Sequence, residues 1–220
     1  MLPAAAANLR INLLVVTGTA GSIGIKITPG AGDALIIGGT TIADATGLTS
    51  YIKGSEWEAI AVQTGASAYD WMLKLKGVQP QITVVKNATQ ENLASGAPTL
   101  VTWQTETIDN NDNFASNTAT PTIPGRYLIK VLLCINGLPL DTTNRVGLWL
   151  YKGGSFFQGV SNQYRLTAYD NEVLLLSWED NLNGSNAYTV YAVTDGGTAD
   201  VLQTNADGLV TSFMITRMSD

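Results

Sequence analysis

Two apolar runs lie close together near the middle of this chain, and neither has a polar face. Written as an extended strand, Tyr127–Ile135 places Tyr127, Ile129, Val131, Leu133 and Ile135 on one side and Leu128, Lys130, Leu132 and Cys134 on the other. Only Lys130 breaks the apolar pattern. The second run, Val146–Tyr151, follows after a turn-rich loop. Pro124 and Gly125 stand before the first run, and Gly153 and Gly154 close the second, so strand chemistry is bounded by turn chemistry. A strand with one wet face alternates apolar with polar residues. A strand apolar on both faces needs cover twice. A second sheet supplies one cover. Another domain or another copy of the chain supplies the other, and the expectation taken here is the copy.

The rest of the chain supports an all-β reading. No stretch shows a helical period over eleven or more residues, whereas short apolar or alternating runs recur between Gly, Pro, Asn and Asp turns. Residues 8–77 read as a small unit of short strands, among them Glu56–Val62, with Trp57, Ala59 and Ala61 on one face, and a run carrying Tyr69, Trp71, Leu73 and Leu75 in alternation. Val78–Pro80 is a natural boundary. The expected organisation is a small N-terminal β unit at 1–78 and a β sandwich at 79–220.

Composition narrows the function. Twelve Lys and Arg against eighteen Asp and Glu leave a net charge of −6, with no basic cluster, which argues against nucleic acid and anionic membrane surfaces as partners. The opening MLPAAAANLR lacks the regions of a secretory leader, and no apolar stretch approaches membrane-spanning length. Histidine is absent, which removes His-based nucleophile relays and most catalytic zinc sites. The single cysteine, Cys134, sits in an apolar run and reads as a small buried hydrophobe. The Gly-rich GTAGSIG lacks the Lys-Ser/Thr and helix entry of a phosphate loop, so a hairpin turn is its reading.

From Gln81 onward, the order of several stretches resembles the tumour necrosis factor and complement-globular-head jelly-roll superfamily, in the version found in bacteriophage virion proteins. The stretches are TLVTWQTETIDNNDNF at Thr99–Phe114, TIPGRYLIKVLL at Thr122–Leu133, VGLWLYKGG at Val146–Gly154, TAYDNEVLLLSWED at Thr167–Asp180 and TSFMITRM at Thr211–Met218. The family has a Pro-x-Gly-x-Tyr entry to its central strand, and here Pro124 directly precedes Gly125. The resemblance implies a ten-strand jelly roll, a tight homotrimer and a place on a virion surface. It implies a short non-enzymatic fibre whose knob attaches to the host cell, with capsid decoration or head fibre as the alternative and a glycan depolymerase as a second. Other virion proteins are the expected partners of the N-terminal region, and host surface glycan a possible partner of the knob.

Candidate site residues follow from residue type. Tyr127, Ile129, Trp149 and Tyr151 are the expected trimer core. The loop aromatics Tyr164 and Tyr169, with Asn181 and Asn183, are candidates for stacking on and hydrogen bonding to a glycan. The loop Asp109–Asn113 is rich in oxygen ligands, so Asp109 and Asp112 are candidate calcium ligands, although the EF-hand spacing is missing. The carboxylate pairs Glu56/Glu58 and Glu179/Asp180 are the only hint of glycan hydrolysis, which needs two carboxylates facing each other across a cleft.

Overall fold

Short alternating runs become strands throughout. The structure, a computed structural model, describes residues 2, 4–6, 9–14, 25–37, 40–42, 48–50, 56–65, 68–76, 78–136, 145–163, 172–195, 198–205 and 207–218, and among these there is no helix. In the N-terminal unit the strands are β1 (Arg10–Leu14), β2 (Ile25–Ile27), β3 (Leu35–Ile37), β4 (Thr40–Ile42), β5 (Leu48–Ser50), β6 (Glu56–Gln63) and β7 (Tyr69–Lys76). They form one sheet in the order β1-β6-β7-β3-β4 and a separate β2-β5 pair. The β6–β7 hairpin sets Trp57 opposite Leu75 and Ala59 opposite Leu73. Residues opposite each other on one face share a single apolar layer. Trp57, Ala59 and Trp71 are completely buried in it. Leu35, Ile37, Leu2 and Ile27 complete this core, together with Ile123, which comes from the later part of the chain.

The C-terminal part is a two-sheet sandwich. Its strands are β8 (Gln81–Val85), β9 (Gln90–Leu93), β10 (Thr99–Leu100), β11 (Thr105–Asp109), β12 (Phe114–Ala115), β13 (Thr118–Ala119), β14 (Gly125–Asn136), β15 (Arg145–Lys152), β16 (Ser155–Gln163), β17 (Glu172–Leu182), β18 (Tyr188–Asp195), β19 (Ala199–Leu202) and β20 (Ser212–Arg217). The first sheet runs β11-β8-β20-β14-β19-β9, with β17 on the other edge of β14. The second runs β12-β13-β18-β15-β16, with β10 also paired to β18. From β14 the chain crosses to the second sheet for β15 and β16, returns for β17, crosses again for β18 and returns for β19 and β20. That alternation is a jelly roll, as the sequence led us to expect. The sheets hold seven and six strands where ten in all were expected, and β9, β12 and β13 among them are only two to four residues long.

The core lies between the sheets. Ile129, Val131, Leu133 and Ile135 of β14 face Val146, Leu148 and Leu150 of β15 and Val190 of β18, all with no exposed surface. Burying a side chain of this size stabilises the fold by about 1.5–3 kcal/mol each.

Where the two units meet, Arg217 at the end of β20 is 1% exposed. Its Nε donates to the Pro124 carbonyl at 3.2 Å and its Nη1 to the Gln79 side-chain oxygen at 3.0 Å. Its backbone N–H donates to the Pro80 carbonyl at 2.9 Å. Gly125 lies against this guanidinium with φ at +150°, and a Cβ there would stand 2.6 Å from Arg217 Nε. Gly125→Ala is therefore expected to cost roughly 2–4 kcal/mol, combining backbone strain with displacement of a buried charge. Chemical denaturation measures it, and a loss under about 1 kcal/mol would show that Arg217 moves aside freely.

Lys86, just beyond β8, is 1% exposed and donates from Nζ to the Thr102 carbonyl at 2.8 Å. Burial lowers its pKa from 10.5 to about 8. Between those values the unfolded chain holds a proton that the folded chain has released, so stability rises with pH across that window. Below about pH 8 both states are protonated and the cost of the buried charge is fully present. Lys86→Met is expected to raise the melting temperature at pH 7 and to remove this group's share, about 3 kcal/mol, of the rise between pH 8 and 10.5. Parallel pH–melting curves for the two proteins decide it.

Candidate binding surfaces

The two outer faces of the sandwich differ in chemistry. On the first sheet, the outward residues of β14 are Arg126, Leu128, Lys130 and Leu132. Register sets Leu175 of β17 beside Leu132, Glu179 beside Leu128, and Met214 of β20 on the far side of Lys130. Leu175 is 60% exposed. The result is an outer face on which aliphatic side chains, Leu175 the most exposed of them, alternate with Ser177 opposite Lys130, Ser212 opposite Leu132 and Thr216 opposite Leu128. Lys130, the one charge among apolar neighbours in the sequence, is exposed and reaches water. At the end of this face Arg126 pairs with Glu179, Nε to Oε2 at 3.0 Å, beside Asp180 and Asn181 in a shallow depression of about 190 Å³.

The outer face of the second sheet is aromatic. Gly147, Trp149 and Tyr151 alternate along β15, and Tyr191 of β18 lies directly opposite Trp149. Ring centroids of Tyr151 and Tyr191 are 4.4 Å apart. Phe156 of β16, 57% exposed, meets Trp149 edge-on at 5.5 Å and Tyr151 at 6.2 Å. On the other side of Trp149 the register places Gly159.

The four expected trimer-core residues therefore divide. Tyr127 and Ile129 are 1% and 0% exposed within a single chain and belong to the interior of the sandwich, with the Tyr127 hydroxyl donating to the Ile123 carbonyl at 2.7 Å. They need no second copy for cover. Trp149 and Tyr151 lie half-buried on the outside, on the sheet opposite the aliphatic side chains of β14. Sequence reasoning counted Tyr191 and Phe156 among the aromatic residues of the C-terminal half without assigning them to a site, and passed over the two glycines. Their signal was the alternation Gly147-Trp149-Tyr151, in which the smallest side chain precedes two of the largest on one face.

The proposed ligand residues are not brought together among the described residues. Tyr164 and Tyr169 lie outside them. Asn181 is exposed on β17 beside Arg126. Asn183 builds its own turn, its side-chain oxygen accepting from the Ser185 N–H at 3.1 Å and from the Ser185 hydroxyl at 2.9 Å. Asp109 is also engaged in its own loop. Its Oδ2 accepts from the N–H groups of Asn113 and Phe114, both at 2.7 Å, and its Oδ1 from Asn111 N–H at 3.4 Å. Asp112 sits at a left-handed turn position with φ at +54°. Nearby Glu106 has its pKa raised by burial, and further by the charges of Asp109 and Asp112. Among the described residues no group of three acidic, Cys or His side chains is arranged to hold a metal.

The carboxylate pairs do not face each other across a cleft. Glu179 points outward to Arg126, while Asp180 points the other way and joins Lys152 Nζ at 2.6 Å and the Tyr188 hydroxyl at 2.5 Å. Burial raises the Tyr188 pKa, and the hydrogen bond to Asp180 and its charge raise it further. Lys152 Nζ stands 5.1 Å from the Phe157 ring centre, a cation–π contact. This cluster ties β17 to β15 and β18, and every polar atom named in it has a partner. In the N-terminal unit, Glu58 is shared between Arg10 at 3.5 Å and Lys76 at 3.3 Å on an open strand face.

No family model and no curated protein matches the chain. Two solved structures similar to it are those of murine APRIL, a tumour-necrosis-factor-family protein, at pH 5.0 and at pH 8.0. Each has a TM-score of 0.47 and covers 64% of this chain and 100% of the other, at 12% and 11% identity respectively. The fold assignment itself rests on the strand order described above.

Because backbone N–H groups already occupy the Asp109 carboxylate, calcium and chelator are both expected to leave the melting temperature unchanged. A calcium-dependent rise would reinstate the Asp109–Asn113 loop as a metal site.

Proposed function

We propose that this chain is a non-enzymatic structural protein of a virion surface, of the bacteriophage kind, forming a short trimeric fibre. In this reading the N-terminal unit docks onto other virion proteins and the jelly roll is the knob that attaches to the host cell surface. The observation that carries the reading is the outer face of the first sheet, where Leu128, Leu132 and Met214 are partly exposed and Leu175 is 60% exposed, among Ser177, Ser212, Thr216 and the charges of Lys130, Arg126 and Glu179. Aliphatic side chains left open on one sheet face are the kind of surface a partner covers. Its aliphatic chemistry suits a second copy of the same chain, and closed rotational symmetry is the usual way for copies to satisfy such patches. Three copies then present identical knob loops, so weak single-site affinity becomes avidity on a dense cell surface. The separate N-terminal core supports a docking unit distinct from the knob. The acidic net charge favours neither nucleic acid nor anionic lipid as the target.

Analytical ultracentrifugation of the full chain is expected to give a trimer. The double variant Leu132→Glu with Leu175→Glu is expected to run as a monomer with unchanged circular dichroism, since both positions face outward. A wild-type monomer overturns the trimer, and so does a double variant that stays trimeric.

A further inference from the structure

We propose that the aromatic face of the second sheet, built by Trp149, Tyr151, Tyr191 and Phe156, is a stacking platform for the sugar rings of an uncharged polysaccharide. This names the ligand class for the attachment reading above and rests on that reading for its biological setting.

The geometry starts from glycine. A Cβ on Gly159 would come within 2.9 Å of Trp149 Cδ1, and one on Gly147 within 3.2 Å of the indole Nε1. The pyrrole edge of the indole occupies the space that side chains at both positions would need. The ring therefore lies low across the sheet instead of standing on it. Tyr191 sits on the neighbouring strand opposite Trp149, and Tyr151 lies two residues further along the same face. The close Tyr151–Tyr191 pair and the edge-on contacts of Phe156 with Trp149 and Tyr151 brace the rings against one another. The Tyr151 and Tyr191 rings are inclined at 42° and Phe156 meets its neighbours edge-on, and such ring contacts are favourable in themselves, so the platform is held in shape before any ligand arrives.

The chemistry of the face selects the occupant. A protein–protein interface of this fold is offered by the aliphatic side chains on the other sheet, not here. On this face four aromatic rings lie together, with Leu100 beside Tyr191, and two of the rings carry a phenolic hydroxyl, while the indole N–H lies down over Gly147. A pyranose ring matches both features, with C–H groups for the ring faces and hydroxyls at its edge for the polar atoms. The charged border is neutral: Arg145 and Asp195, at the end of the same face, pair with each other at 2.8 Å. A border without net charge, on a chain whose net charge is −6, complements an uncharged chain of sugars better than a polyanion.

Affinity electrophoresis of the full-length protein tests this, with dextran, galactomannan and a mixed-linkage β-glucan as neutral probes and heparin as the charged one. The expected result is retardation by at least one neutral polysaccharide and none by heparin. Trp149→Ala and Tyr191→Ser should each weaken that retardation tenfold or more. Trp178→Phe, on a strand of the other sheet, should leave it unchanged. In the Trp178→Phe protein the remaining tryptophans other than Trp149 are at most 8% exposed, so acrylamide quenching reports on Trp149. Saturating polysaccharide should reduce that quenching, which keeps the test intact if a platform variant fails to fold. Absence of retardation by all three neutral probes, unchanged quenching at saturation, or retardation that survives Trp149→Ala in folded protein overturns the platform. Failure of the attachment reading looks different. Trimers that adsorb to cells equally well with and without Trp149 overturn the platform and leave attachment standing. A protein that binds the polysaccharide through Trp149 yet adsorbs to no cell supports the platform and removes attachment.

Discussion

The rest of the structure depends on β14 being paired along both edges while its two faces meet different environments. On one edge it pairs with β17 from Gly125 to Ile135. On the other it pairs with β20 from Tyr127 to Leu132 and with β19 from Cys134 to Asn136. Its backbone groups are thus satisfied within the chain, which is the condition for burying a strand at all. One face then supplies the middle of the core, and the other sets out aliphatic side chains on the surface. The same strand that makes the sandwich stable on its own also gives it a surface that water solvates poorly. In the trimer proposed above, the core strand itself would supply the contact between copies.

The entry to β14 is equally constrained. Pro124, Gly125 and the buried Arg217 form one unit with Gln79 and Pro80, the segment leading out of the N-terminal unit. Two residues earlier, Ile123 is completely buried in the N-terminal core, and its carbonyl accepts from the Tyr127 hydroxyl of the knob core. The five-residue stretch Ile123–Tyr127 therefore spans both cores. A buried guanidinium that bridges a carbonyl on one segment and an amide oxygen on another fixes orientation better than an apolar contact, because it offers few alternative geometries.

Much of this was legible in the residues. The face carrying Trp57 and Ala59, and that carrying Trp71, Leu73 and Leu75, are the buried faces, because period-two alternation is strong when one face is wet. The pattern failed where both faces are apolar. Tyr127 and Leu128 look equally fit for the interior, and only the register with β17 and β20 decides that Tyr127 turns inward. β16 has weak strand signal of its own, with Gly159 and its serines, asparagine and glutamines, and is held by pairing with β15 along its length. β17 runs on through Glu179–Leu182 because pairing with Gly125–Leu128 outweighs the low strand propensity of Glu, Asp and Asn. The acidic loop at Asp109 suggested a cation, and the structure shows the same carboxylate capping three backbone N–H groups. Asp and Asn favour both roles for one reason: a short side chain with oxygens close to the backbone.

The two outer faces bear on specificity. An aliphatic surface recognises shape and little else, and suits a partner that is always the same. An aromatic surface with polar rims distinguishes the orientation of ring faces and hydroxyls, and suits a partner drawn from a chemically varied set. The first lies on the β14 sheet and the second on the β15–β16–β18 sheet, on opposite sides of a core about 10 Å thick. The two faces share no outward residues, so side chains on one vary at little cost to the other. Gly147 and Gly159 shape the aromatic face through backbone space alone, so a change at either moves Trp149 without touching the hydrophobic core.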